Sequence, residues 1–338
     1  MSDCVVKIGN CILINDDCEV AIKEIPDNSV TLIHTDPPYI IHSDDNMGEM
    51  MEKKARKSYD KLIKADVSDG FNTDIMFPEF KRVCKAINWQ TWCSKKQFID
   101  YLIMAKENKW NWQDIHLFRN NALPNVRGKY IDSDYLVHLC KEEAAMAFSG
   151  TFRFGVELFN AAPDLYKYDW VWEKDNGTNA PNVNLQPFRV HENIYIFGKG
   201  RVTNGKRTPM KYNPQKTEGK PYCQKSGRMS ENWKGGLQNV VTNNESGLRH
   251  PKTIQYFCRD RGLHPTQKPV AMMEYLIKTY SNESDVVLDF TAGSFSTGIA
   301  AQNTGRRFIG IELDEKYFEI GKNRMIENLK RLEELKSE

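Results

Sequence analysis

The 338-residue chain contains no apolar run that approaches the ~20 residues a membrane span requires, and its mean hydropathy is −0.61. Its start, Met1-Ser2-Asp3-Cys4, lacks a basic stretch followed by an apolar one, so no secretory signal is expected. Paired cysteines are also missing. Eight cysteines are scattered, with no C-x-x-C pair and none at zinc-finger spacing from a histidine. That pattern argues against a zinc ribbon or a disulfide scaffold and reads as reduced cytoplasmic thiols, mostly core filler, with no metal site. A large charge of one sign is absent too: the net charge is +2, which argues weakly against a nucleic-acid binder. What is present is globular in composition, 40% hydrophobic and 27% charged. At ~150 residues per domain, the length allows two domains or one large α/β domain with an inserted module.

The distribution of charge says more than its sum. Between Lys199 and Arg261 there are 14 Lys or Arg and 4 Asp or Glu, a local balance of +10 against −8 for the remainder. The same stretch is rich in Gly, Asn, Pro and Thr and carries Tyr212, Tyr222, Trp233 and Tyr256. A basic, aromatic module on an acidic body suits a chain that meets a polyanion locally, through phosphate contacts and base stacking. The alternative is a solvated loop region whose cations only keep it soluble.

Hydrophobic patterning predicts strands at 5–14 (or a hairpin), 29–35, 89–93, 112–118, 135–140, 168–172, 193–197, 285–290 and 307–312. It predicts helices at 19–24, 78–87 (with Pro78 in the first turn), 95–108, 267–280, 296–303 and 315–335. The polar stretch 41–75 reads as a mobile loop. Strands alternating with helices indicate an α/β fold with a largely parallel sheet. Residues 119–126 are echoed by the Asn-rich 174–183, each after an aromatic strand and before an apolar one, which is either a partial internal repeat within 112–200 or chance.

Two motifs carry chemistry. Thr35-Asp36-Pro37-Pro38-Tyr39 closes an apolar strand. In an open parallel sheet, ligands bind beyond the carboxyl ends of strands. The prolines stiffen the turn, Asp36 offers an acceptor and Tyr39 a flat face, which together suit a planar group with an amino function, such as a nucleobase. The second motif, Val286-Val287-Leu288-Asp289-Phe290-Thr291-Ala292-Gly293-Ser294-Phe295-Ser296-Thr297-Gly298, reads as strand, tight turn and helix. Backbone at Gly293 can approach a ligand closely, and the helix start presents free N–H groups. About 20 residues further on, a strand ends in Ile311-Glu312, where an acid can take the two hydroxyls of a ribose.

With the basic module between them, these motifs closely resemble the beta group of amino-DNA methyltransferases, in which the Asp-Pro-Pro-Tyr motif precedes the cofactor motif. Asp17-Cys18-Glu19 with Ile25-Pro26-Asp27-Asn28-Ser29-Val30, His264-Pro265-Thr266-Gln267-Lys268-Pro269, and Gly305-Arg306-Arg307-Phe308-Ile309-Gly310-Ile311-Glu312 with Tyr317 are similar to that family's other signatures. The resemblance implies a Rossmann-like, mostly parallel sheet with flanking helices (the class I methyltransferase fold) in circularly permuted motif order. Residues 1–200 would form the catalytic half, 201–262 a target-recognition region and 263–338 the cofactor-binding half.

The resemblance further implies methyl transfer from S-adenosylmethionine to adenine N6 in double-stranded DNA. Cytosine N4, RNA, or DNA binding without catalysis are the alternatives. Asp36, Pro37, Pro38 and Tyr39 would be catalytic. Asp17, Thr266, Lys268, Asp289, Phe290, Thr291, Gly293, Ser294 and Glu312 would hold the cofactor, with Asp17 at its adenine end. Lys206, Arg207, Lys211, Lys216, Lys220 and Arg228 would meet DNA. A homodimer and a cognate restriction endonuclease are implied partners, in the cytoplasm of a bacterial or phage-infected cell, with no membrane. The family's turn reads Phe-x-Gly-x-Gly, whereas Thr291, Gly293 and Phe295 hold those positions here. Phe290 is then expected to supply the aromatic surface. Phe295 is expected to be strained if its φ is positive, and its ring to narrow the cofactor pocket.

Overall fold

The computed structural model describes residues 4–36, 72–84, 89–93, 118–119, 146–150, 155–156, 159, 163–177, 180–198, 200–225, 241–260, 262 and 267–337. The chain opens with a hairpin, β1 (Val5–Ile8) and β2 (Cys11–Asn15), in which Gly9 takes a positive φ of 57° at the turn. A short helix α1 (Cys18–Ala21) and a 3-10 turn lead to β3 (Leu32–Thr35), which is buried on both faces. Next come α2 (Thr73–Val83), β4 (Trp89–Cys93), β5 (Phe118–Arg119) and β6 (Met146–Gly150). The strands β7 (Tyr166–Glu173), β8 (His191–Phe197), β9 (Tyr222–Lys225), β10 (Val241–Asn244) and β11 (Ile254–Tyr256) precede α3 (Val270–Tyr280). Then β12 (Val286–Asp289), α4 (Ser296–Asn303), β13 (Arg307–Glu312) and α5 (Glu315–Ser337) complete the chain.

Among the described residues, seven strands form the main sheet in the order β1-β2-β13-β12-β3-β4-β5, parallel except for β1. The strands from the last part of the chain therefore lie in the middle of a sheet whose flanks come from the first part. This is the Rossmann-like class I methyltransferase architecture in permuted order. Its central strands have no exposed side, which is why β3 and β12 read as unbroken apolar runs. A second sheet, β11-β7-β8-β6, holds β7 and β8 as an antiparallel pair. The Asn-rich stretch 174–183 begins the connection between those two strands, outside the main sheet; its echo at 120–126 lies outside the described residues. β11, from the basic region, pairs in parallel with β7.

One core serves both sheets: Leu32 and Val287 of the main sheet cluster with Trp170, Trp172 and Ile196 of the second through Met272, Leu276 and Tyr280 of α3. The indole N–H groups of these two buried tryptophans are satisfied. Trp170 Nε1 donates to Tyr280 Oη at 2.9 Å, and Trp172 Nε1 donates to the Phe257 carbonyl at 2.9 Å.

Several expectations are corrected. The helix expected to start at Pro78 begins at Thr73 and ends at Val83, so Pro78 sits inside it, with the helix start held by Met76 N–H donating to the Asn72 carbonyl. Pro78, sixth of the 11 residues, forfeits its bond to the Asp74 carbonyl and crowds that carbonyl, a cost that packing of Met76, Phe80 and Val83 offsets. Of the six described free cysteines, only Cys11 and Cys84 are buried, and Cys223 and Cys258 are exposed, so core filling does not describe most of them. The expected elements at 95–108 and 135–140, most of 112–118 and most of the 41–75 loop lie outside the described residues. Among the described residues, no helix is long and apolar enough to cross a membrane.

Phe295 repays attention because the strain expected of it is present. Its φ is 57°, in the left-handed region that costs an L-residue ~1–2 kcal/mol. The ring, however, points away from the cofactor turn and is fully buried against Phe308 and Phe318, with ring centroids 6.2 and 6.0 Å away. Two glycines make its space. A Cβ at Gly310 would lie 2.5 Å from the Phe295 ring, and a Cβ at Gly321 would overlap it. A mid-helix glycine such as Gly321 otherwise costs ~1 kcal/mol, and here the ring requires it. Deleting a buried phenylalanine ring costs ~3–5 kcal/mol, so burial outweighs the strain. Phe295→Ala, which keeps the left-handed strain and loses the ring, should thus destabilise the chain by about 3–5 kcal/mol. Gly321→Ala alone should cost at least ~2 kcal/mol through the clash. The double variant should be more stable than the sum predicts by at least ~1 kcal/mol, because the new methyl enters the vacated space. Urea unfolding of the four proteins measures this, and strict additivity would contradict the packing described.

Candidate active site

The site follows from topology. β12 and β3 are parallel neighbours, but the chain leaves them in opposite directions, from β12 through α4 to β13 and from β3 through α2 to β4. That reversal opens a crevice beyond the carboxyl ends of the two strands. Thr35 and Asp36 arrive there from β3, and the segment from Asp289 to Ser294 arrives from β12. Across a separation of 256 residues, the hydroxyls of Thr35 and Thr291 are hydrogen-bonded at 2.7 Å. The resulting cleft is lined by Asp36, Gln267, Lys268, Met273, Asp289, the turn Thr291-Ala292-Gly293-Ser294, Ser296 and Thr297. Beneath it, buried His34 places Nε2 2.7 Å from Met273 Sδ.

Three carboxylates have distinct surroundings. Asp36 accepts a hydrogen bond from Lys268 Nζ at 2.5 Å, and the two side chains are 15% and 16% exposed. A largely buried charge pair of this kind is stable only while both partners remain, since removing one strands the other. Asp289 is 4% exposed, and burial pushes its pKa up to about 7. Hydrogen bonds from the Thr297 and Thr35 hydroxyls and from the Thr291 N–H oppose that rise. A cation brought beside it would hold it ionised. Glu312 accepts from the Gly293 N–H at 2.6 Å and, through its other oxygen, from the Asp314 N–H at 3.0 Å, while burial raises its pKa. It thereby ties the glycine turn to the end of β13, and each oxygen keeps a lone pair for a ligand hydroxyl.

The turn itself is tightly held. Gly293 takes φ 53°, which suits glycine. Ala292 N–H donates to the Ile311 carbonyl at 2.9 Å, and Arg324 of α5 donates to the Ser294 carbonyl. Helix α4 then starts with no side-chain cap. Its first residue, Ser296, lines the cleft with a buried hydroxyl that has no hydrogen-bond partner. An orphaned hydroxyl beside an uncapped helix start is a donor set awaiting a polar or anionic ligand group. The cleft therefore has ribose-type acceptors at one point, anion donors at another, and a carboxylate able to face a cation.

The structure gathers Asp36, Lys268, Asp289, Thr291, Gly293 and Ser294 into this cleft, with Glu312 joined to it through Gly293. Other expected site residues are not among those that line the cleft. Asp17 caps α1, its carboxylate accepting from the Glu19 N–H at 2.8 Å. The Phe290 ring is 1% exposed and packs on Phe80 at 4.9 Å, so it offers no face to a cofactor. The Phe295 ring lies in the core and does not narrow the cleft. Pro37, Pro38, Tyr39, Thr266 and Arg228 lie outside the described residues. Residues that sequence reasoning missed include Thr35, Ser296, Thr297, Gln267 and Met273. A polar residue flanking each motif was the available signal for the first three, whereas nothing local marked Met273.

The basic residues divide. Lys206, Arg207 and Lys220 are exposed. Lys211 donates to Asn282 Oδ1 at 2.6 Å, just before the amino end of β12 and so at the opposite end of the sheet from the cleft. Lys216 joins Arg249, His250, Lys252 and Lys278 around a second cleft of about 560 Å³ beside α3.

The Asp289 environment makes a testable statement. Folding raises its pKa from an ordinary 3.8 to about 7, so the folded chain holds that proton more tightly than the unfolded one. Its contribution to stability is full below pH ~4 and is lost as pH rises through about 7. Between pH 5 and 8, the wild-type chain should lose roughly 2–3 kcal/mol relative to Asp289→Asn in urea unfolding. Parallel pH profiles would contradict the assignment.

Comparison with known proteins agrees with this geometry. A family model described as DNA methylase, of the N6/N4 type, matches residues 30–323. The type II methyltransferase M2.LlaDCHI of Lactococcus lactis subsp. cremoris is 23% identical over 322 residues, covering 94% of this chain and 89% of that protein. The DNA adenine methyltransferase YhdJ of Escherichia coli K12 is 44% identical over 72 residues, and the matched stretch covers 21% of this chain and about a quarter (24%) of that enzyme's length. Among solved structures, the cytosine-N4-specific PvuII DNA methyltransferase aligns over 96% of this chain and 93% of its own, at 12% identity and a TM-score of 0.42. With the family model spanning most of the sequence and the motif residues meeting in one cleft, the chain belongs to the N6/N4 DNA methylase family.

Proposed function

We infer that the chain transfers a methyl group from S-adenosylmethionine to the exocyclic N6 of adenine in double-stranded DNA, after the base has been flipped from the helix. The observation that carries this reading is the single cleft in which Asp36 of the Asp-Pro-Pro-Tyr motif meets the glycine turn, joined by the Thr35–Thr291 hydrogen bond. When bound, the cofactor supplies a methyl group on a positively charged sulfur that departs readily. Glu312 would take its ribose hydroxyls. Ser296, the start of α4 and Lys268, with Thr266, would meet its methionine end. Gly293 and Ser294 would line its path, and Asp289 would face its positive charge. Asp17, two residues beyond the Asn15 that pairs with Glu312, would meet its adenine end.

The chain's own work is alignment. Flipping a base costs a few kcal/mol, which stacking on Tyr39 would offset in part. Asp36 and the Pro37 carbonyl would accept hydrogen bonds from the amino group. These acceptors turn the nitrogen lone pair, otherwise delocalised into the ring, toward the methyl group. No strong base is required beforehand, because position and preorganised acceptors lower the barrier. The Lys268–Asp36 pair fixes the acceptor before the base arrives. Asp at the first motif position favours adenine over cytosine N4, on the family resemblance. Because the Phe295 ring lies in the core, the binding-only alternative loses the observation that motivated it.

Residues 201–262 would recognise the target, between a catalytic half at 1–200 and a cofactor half at 263–338. Phosphates would be met by Lys216 with Arg249 and Lys252 around one cleft, and by exposed Lys206, Arg207 and Lys220. Lys211, tied to Asn282, drops out of that group. The same resemblance extends the reading to a homodimer and to a cognate restriction endonuclease.

Asp36→Ala should abolish methyl transfer in an assay with radiolabelled cofactor, yet leave cofactor affinity within a few-fold of wild type by calorimetry. Loss of cofactor binding would overturn the role given to Asp36. Replacing Lys206, Arg207 and Lys216 together with alanine should weaken DNA binding and reduce the log–log salt slope by ~0.9 per lost phosphate contact. An unchanged slope would make the region a solvated loop.

A further inference from the structure

The connection between β7 and β8 has no part in the core or in the cleft. It is nonetheless anchored. Asp175 Oδ1 accepts from the Arg259 backbone N–H at 3.1 Å and from Arg259 Nε at 3.0 Å. Lys174 pairs with Glu192 and lies 4.5 Å over the Trp172 ring. A Cβ at Gly177 would lie 2.6 Å from the Phe188 ring and 2.8 Å from the Arg189 carbonyl oxygen, so the two arms of the loop close on each other. The tip folds back, with the N–H groups of Leu185 and Gln186 donating to the Asn182 carbonyl at 2.9 and 3.0 Å.

At that tip Leu185 is 88% exposed, the most exposed large apolar side chain among the described residues. Single exposed leucines are ordinary, and the position of this one is what matters. Arg259, which grips the loop root, is followed by Asp260, whose carboxylate accepts from the Val270 N–H at 2.9 Å. Val270 heads α3 two residues after Lys268, the partner of Asp36. The loop root is therefore tied, through Arg259 and Asp260, to the helix start that follows the cleft residue Lys268. Its charge suits a polyanion: after Asp175, which Arg259 neutralises, no acidic residue occurs through Val190. Leu185 itself is flanked by the amides of Asn184 and Gln186.

We propose that Leu185 enters the base stack as a wedge and fills the space vacated by the flipped target base, with Asn184 and Gln186 within reach of the base left unpaired. An apolar side chain there replaces lost stacking, while amides meet the exposed hydrogen-bonding edge. The inference rests on the methyltransferase reading above, and it gives the Asn-rich segment between β7 and β8 a task.

The test uses the full chain and two oligonucleotide duplexes carrying a site that the wild-type chain methylates. One is fully paired, and in the other the partner of the target adenine is replaced by an abasic residue, so that flipping no longer breaks a pair. Leu185→Ala should lower kcat/KM on the paired duplex by about tenfold or more, and stay within about twofold of wild type on the abasic duplex. Leu185→Met should retain wild-type rates on both. Full activity of Leu185→Ala on the paired duplex, or an equal loss on both duplexes, would overturn the wedge. Failure of the wild-type chain to methylate any DNA would overturn the methyltransferase reading, and this inference with it.

Discussion

Two backbone pairings, Val287 with Leu32 and Leu288 with Ile33, hold β12 beside β3 and make one cleft from opposite ends of the chain. Everything proposed for the site depends on that contact. Asp36 and the turn at Gly293 belong to segments that have no local reason to meet. Parallel pairing needs long crossovers, and both faces of the two strands must be covered. Burial of β3 and β12 on every side provides that cover, and the Thr35–Thr291 hydrogen bond then sets the register of the two motifs at the cleft itself.

The glycine turn illustrates how a local rule can be broken when distant residues compensate. Phe295 occupies a left-handed conformation that glycine would adopt freely, yet its ring fills a hole bounded by Gly310 in β13 and Gly321 in α5. The turn thereby becomes an anchor from loop to core. Arg324, one turn of helix beyond Gly321, adds a hydrogen bond to the Ser294 carbonyl. A turn that lines a cleft gains from such fixing, because order established on folding need not be imposed on binding.

Much of this was legible in the sequence because it is local. The runs Arg307–Glu312 and Ser296–Asn303 match the observed elements, since each is bounded by its own turn chemistry and filled by one period of hydrophobicity. Asp36, Gly293 and Glu312 stood out by motif and spacing. Partnership was not legible. Nothing in Tyr166–Glu173 states that it pairs with β8 and β11 outside the main sheet, because a strand pattern records which faces are apolar and not which strand lies alongside. The fate of the Phe290 and Phe295 rings turned on Phe80, Gly310 and Gly321, all remote in sequence. The place of Lys211 was hidden for a related reason: a charge count locates cations along the chain but not at an end of the sheet.

The geometry describes a face rather than a point. The root of the loop that carries Leu185 is hydrogen-bonded to Arg259, and Asp260 beside it is hydrogen-bonded to the start of α3, two residues after the Lys268 of the cleft. Such a face has a place for a flipped base, for its donor and for the duplex left behind. The central claim is the chemistry at Asp36, and one measurement reaches it most directly. Unmethylated DNA is incubated with the purified chain and S-adenosylmethionine, digested to nucleosides and analysed by mass spectrometry. The account predicts N6-methyladenine. N4-methylcytosine in its place, or no modified base with the chain folded and the cofactor bound, would contradict it.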